Sequence, residues 1–106
     1  MTDCTRARLP DRCESISFSF ELNGLSYHAT YSRFPGAGVA EIFLRNHHVG
    51  SHADIAANDA AVAASLALQF GCPFETLQQA LGRDSRGQPA GPLGHAISLI
   101  QDAADV

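Results

Sequence analysis

The chain has 106 residues, 45% of them hydrophobic, and a formal charge of −4. That suits one domain, able to bury roughly two thirds of its unfolded surface without staples. All seven bases are arginine, against eleven acids, a balance that speaks against sequence-independent nucleic-acid binding by phosphate neutralisation. Cys4, Cys13 and Cys72 are odd in number and form no C-x-x-C pair, which speaks against a disulfide framework.

Residues 1–13, MTDCTRARLPDRC, carry three of the seven arginines and no hydrophobic period. They read as a flexible N-terminal arm, followed by a single α+β domain over residues 14–106. No charged-then-apolar leader opens the chain, and the most apolar run, 60–68, is too short and too rich in alanine to span a bilayer. The expectation is a cytoplasmic protein with reduced thiols.

ESISFSFEL alternates strictly: Ile16, Phe18, Phe20 and Leu22 on one face, Ser15, Ser17, Ser19 and Glu21 on the other. Period two with β-forming residues predicts a half-buried strand. Asn23-Gly24 then predicts a type I′ hairpin turn. That turn pairs Leu22 with Leu25, Phe20 with Tyr27, Phe18 with Ala29 and Ile16 with Tyr31, which puts the apolar residues on one face.

FPGAGV predicts a second turn. A loop over 35–38 pairs Phe34 with Val39, Tyr31 with Ile42 and Ala29 with Leu44. The core face continues through Ala40, Ile42 and Leu44, giving a three-stranded antiparallel meander with its second strand central. Phe34, Val39 and Phe43 fall together at one end of the outer face. An apolar patch beside an open sheet edge points to self-association, and a homodimer is expected.

From Ser51 the period becomes helical. Ser51 with Asp54 is a capping-box variant, and the helix should run to about Phe70. It is rich in alanine, so other elements can approach it closely. Ile55, Val62, Leu66 and Phe70 make one stripe; Asp54, Asn58, Ser65 and Gln69 lie near another line. Buried polar groups need partners, so Asp54, Asn58 and Ser65 should fasten the helix to connecting loops, with Arg83 or Arg86 reaching Asp54 or Asp59 as one such link. Gly71 ends the helix in the left-handed position.

Pro73 opens a short second helix at its favoured first position, with Phe74, Leu77 and Leu81 inward and Gly82 closing it. A third helix starts near Pro92, with Leu93, Ala96, Ile97 and Ile100 at helical spacing. The order β-β-β-α-α-α predicts a sheet with helices on one face.

Three places could carry chemistry. In GRDSRGQPAGPLGHAISLI, Arg83, Ser85 and Arg86 precede a helix start at Gly91, Leu93 and Gly94, and free N–H groups there could hold a phosphate or nucleotide. The spacing matches neither the Walker pattern nor the dinucleotide fingerprint, and the same residues also read as a stiff connection between two helices. His47 and His52 with Asp54 are candidate ligands for zinc or nickel in a metal-dependent hydrolytic site; adjacent residues at a strand end usually face opposite ways, and the competing reading is a polar turn. Cys72 precedes a helix start, where a thiol can be activated, or is an inert, partly buried thiol. No catalytic residue, metal or cofactor is assigned by these patterns.

AEIFLRN, the Gly50-Ser51 and Asp54 turn, and ASLALQFGCPFETLQQALGRDSRGQPAGPLGHAISLI together resemble the TSCPD-type segment near the C-terminus of adenosylcobalamin-dependent ribonucleotide reductases. The resemblance covers roughly residues 38–100 and is most similar to short relatives of that segment. The T-S-C-P-D string and its paired cysteines are absent, and the chain has no room for the barrel with the radical cysteines, substrate site and cobalamin site. The resemblance therefore implies a non-catalytic interaction module, without a cofactor, tied to deoxynucleotide metabolism through self-association or through docking on a larger partner such as a reductase subunit.

Overall fold

The computed structural model describes residues 14–34 and 38–104; the N-terminal arm and the tip of the second turn lie outside them. The order is β1 (Ser15–Leu22), β2 (Leu25–Arg33), β3 (Val39–Asn46), α1 (His52–Gln69), α2 (Phe74–Ala80) and α3 (Pro92–Ala104). The three strands form one antiparallel sheet in the order β1-β2-β3. The α+β meander expected from the period is present.

The first hairpin has the predicted register, from Leu22 opposite Leu25 to Ile16 opposite Tyr31. Asn23 and Gly24 have φ of 54° and 78°, the two positive values that a type I′ turn requires. Across β2 and β3, Tyr31 faces Ile42 and Ala29 faces Leu44, also as read from the sequence.

The pairing beyond that point differs. Arg33, not Phe34, faces Val39, and the register shifts between Ser32 and Arg33. Ser32 opposite Glu41 and Arg33 opposite Val39 leave Ala40 as the extra residue of a bulge. One inserted residue reverses the facing of everything beyond it. Val39, expected on the outer face with Phe34 and Phe43, is therefore buried in the core, beside an equally buried Ala40. Phe34 is half-buried and Phe43 alone of the three is exposed.

The core joins Tyr27, Ala29, Tyr31, Ile42 and Leu44 of the sheet to Ala57, Ala61, Ala64 and Leu68 of α1 and to Leu93, Ala96, Ile97 and Ile100 of α3. Phe20 lies between Tyr27 and His95, with ring centroids 5.5 and 5.0 Å away, which ties α3 to the hairpin. The half-buried Phe74, Leu77 and Leu81 pack against this core. Pro73 caps α2 from just outside it, and Gly71, at φ 103°, ends the preceding helical run. Among the described residues no helix is long and apolar enough to cross a membrane.

Candidate functional site

α1 grips the outer edge of β3 through three side chains on one line. Ser65 Oγ accepts from Ile42 N at 2.9 Å and donates to Ile42 O at 2.9 Å. Gln69 Nε2 donates to Ala40 O at 3.1 Å. At the other end Asp54 Oδ1 accepts from Asn46 N at 3.0 Å. Residues 40, 42 and 46 alternate along the strand, so their backbone groups point the same way, away from β2. The polar line on α1 thus satisfies the strand edge itself. Ala57 and Ala61, each 1% exposed, have only a methyl to place there, which lets the helix come this close.

Asp54 anchors the end of that line. Its carboxylate accepts from Arg45 Nε at 2.8 Å, Arg45 Nη2 at 2.7 Å, Asn46 N and Gly50 N. Gly50 reaches it with φ 81°, a conformation that favours glycine. Ser51 caps α1 by accepting from Asp54 N. The link expected from Arg83 or Arg86 is made instead by Arg45: those two lie on a hairpin of their own, whereas Arg45 is on the adjoining strand. The residues that look like a reactive cluster in RN-HHVGSHAD are, in the fold, a clamp.

The Arg45 guanidinium, with the Gly50 N–H, holds the Asp54 carboxyl far below its ordinary value near 3.8; burial opposes this and the Asn46 N–H adds to it. A carboxyl depressed on folding contributes stability that is complete above its unfolded value and is lost as pH falls below it. Denaturant titrations should show the protein losing stability from about pH 4 downward. The Asp54→Asn variant should be less stable at neutral pH and lose less over that acid window; equal acid slopes in the two proteins would contradict the clamp.

The other side of α1 is apolar and open. Residues turn by about 100° each around a helix, so Val62, Ile55 and Leu66 follow directly from Ser65 and Gln69, on the side away from the core. They are 47%, 53% and 39% exposed, and Phe70 is 50% exposed. Phe43, 49% exposed, stands on the outer face of the strand that α1 grips. The stripe seen in the sequence and Phe43 of the outer face are thus both left exposed.

The other candidate residues lie at separate places in the fold. Arg83 Nη1 donates to Gly87 O at 3.0 Å, and Asp84 Oδ1 accepts from Arg86 N and Gln88 N. Together with the bridge between Arg83 and Pro89, these bonds close residues 82–90 into a small hairpin. Ser85 and Arg86 are exposed on it. Gly91 is half-buried, whereas Leu93 and Gly94 are buried at the start of α3. A Cβ on Gly94 would lie 3.2 Å from Pro89 Cβ, so this glycine serves a close approach of hairpin and helix.

His47 Nδ1 sits 3.1 Å from Ser26 O, and its ring is 3.9 Å from that of His48. His52 is exposed at the first position of α1, and Asp54 is engaged with Arg45. Among the described residues no group of three or more His, Cys, Asp or Glu is placed to hold a metal ion. Cys72 is a free, half-buried thiol directed at Pro73 O at 3.5 Å.

Over 86 residues, or 81% of its length, the chain is 33% identical to a vitamin B12-dependent ribonucleotide reductase of Streptantibioticus cattleyicolor, covering 14% of that protein. It is equally similar to the enzymes of that name from Streptomyces clavuligerus and Streptomyces coelicolor, covering 9% of each. No protein-family model matches the chain, and no solved structure does. The chain spans 14% or less of the curated relatives it matches, and most of it is similar to one small segment of vitamin B12-dependent ribonucleotide reductases.

Proposed function

We propose that this chain is a non-catalytic docking module that seats on a reductase-type polypeptide and so acts in deoxynucleotide metabolism. The observation that carries the reading is the open face of α1, with Ile55, Val62, Leu66 and Phe70 exposed, together with the exposed Phe43 on the strand whose edge α1 grips. Contiguous exposed apolar surface marks interaction sites, and aromatic and aliphatic anchors dominate binding energy. The occupant follows from the similarity. In each relative the matching segment is joined to a far longer polypeptide, so a unit of this kind has a large body to turn its apolar face toward. The polar clamp behind that face is consumed in holding the helix to the sheet, which fits a scaffold rather than a reaction centre.

The test is calorimetric titration of this chain into a purified vitamin B12-dependent ribonucleotide reductase. Binding is expected, and Leu66→Glu and Phe43→Glu should each weaken it at least about tenfold, or about 1.4 kcal/mol. Absence of binding by the unaltered chain, or undiminished binding by both variants, would remove the reading.

A further inference from the structure

We propose that β1 is a self-association edge: two copies join antiparallel, β1 to β1 about Phe18, into one six-stranded sheet. This surface lies across the sheet from the α1 face and does not depend on the docking reading. It also moves the expected homodimer contact away from Phe34, Val39 and Phe43.

The two sheet edges are treated differently. α1 occupies the edge of β3, but among the described residues nothing pairs with the outer edge of β1. The two-residue turn fixes which groups are free. Leu22 and Leu25 flank it as a hydrogen-bonded pair, so Leu22, Phe20, Phe18 and Ile16 bond toward β2 and Ser15, Ser17, Ser19 and Glu21 turn their N–H and C=O outward. Exposed edges are normally blunted by charged side chains, lysine above all, by proline or by a bulge. β1 has no lysine or proline, its one charge is Glu21 next to the turn, and its register with β2 is unbroken over all eight positions.

The strand complements itself. Centred on Phe18, antiparallel pairing sets Ser17 opposite Ser19 and Ser15 opposite Glu21, which uses every outward backbone group. It also sets Ile16 opposite Phe20, so both apolar faces fall on the same side. Charge selects the direction: antiparallel pairing keeps Glu21 of each copy at opposite ends, whereas parallel pairing in register would stack them. Beside this edge a groove of about 350 Å³ runs between β1 and α3, lined by Ile16, Phe18, Ser19, Tyr31, Leu99 and Ala103. Ile16 is 52% exposed in it. In the paired arrangement the second copy brings its own Phe18 and Phe20 to that apolar side.

Light scattering over a dilution series tests this on the full chain. The expected mass is twice 11.2 kDa. Ser17→Pro removes an outward N–H and no backbone bond of the hairpin, losing besides only the exposed hydroxyl contact with Thr30 Oγ1 at 2.8 Å, at a position where edge strands accept proline; it should give a monomer with its circular dichroism retained. Ile16→Lys, which sets a charge in the groove, should do the same, while Leu66→Glu should leave the dimer intact. A monomer at every concentration would overturn the proposal. So would a dimer that survives both β1 variants, or one that Leu66→Glu dissociates. Dimerisation only after deletion of residues 1–13 would assign the edge to the chain's own N-terminal segment and equally overturn it.

Discussion

Replacing Ser65 with valine should lower the unfolding free energy by about 2–6 kcal/mol, because two buried backbone groups lose their partner at once. Ile42 N donates to Ser65 Oγ and Ile42 O accepts from it, and Ile42 is 1% exposed. Each group left unsatisfied costs about 1–3 kcal/mol, and the added methyl must fit where α1 and β3 are closest, which crowding makes costlier still. The same change also frees part of a strand edge that the fold keeps covered, so the variant should aggregate more readily on partial unfolding. Urea denaturation gives the first number, and turbidity on heating gives the second. Leu66→Ser, one residue further on and facing outward, should stay within about 0.5 kcal/mol of the parent. A Ser65→Val variant that loses less than the Leu66→Ser variant would show that α1 is not held by this strand edge.

The second large effect belongs to α3. Ile97 is 0% exposed and sits in the cluster that joins sheet and helices. Truncation to alanine removes three carbons from a packed site that can collapse only partly, which typically costs about 2–5 kcal/mol. For a domain of this size each kcal/mol moves the melting temperature by roughly 4–8 °C, so calorimetry should register a fall of at least about 8 °C. Ile100→Val, which deletes one methyl at a site 1% exposed, should cost about 0.5–1.5 kcal/mol. A melting temperature unchanged by Ile97→Ala would mean that α3 is not part of the cooperative core.

Local chemistry wrote most of the secondary structure directly into the chain. Asn23-Gly24 can only turn one way between two alternating runs, and the alternation then leaves one register for the first hairpin. Ser51, Gly71, Pro73 and Pro92 mark helix ends by backbone rules that need no tertiary partner. The core positions of α3 follow from spacing alone, since Leu93, Ala96, Ile97 and Ile100 are the apolar side of a three-and-a-half-turn helix and all four are buried.

What the three-dimensional packing decided is which surface each pattern serves. A bulge at Ala40 sent Val39 inward, and no local signal in FPGAGV distinguishes a turn that bulges from one that does not. On α1 the more hydrophobic stripe stayed outside while alanines, Asp54, Ser65 and Gln69 went in. The face that satisfies an open strand edge must offer hydrogen bonds and small side chains, and only the proximity of β3 makes that requirement exist. Arg45 became the partner of Asp54 for the same reason: pairing across nine residues of chain depends on where a strand ends and a helix begins, a relation fixed by the assembled sheet and not by spacing along the sequence.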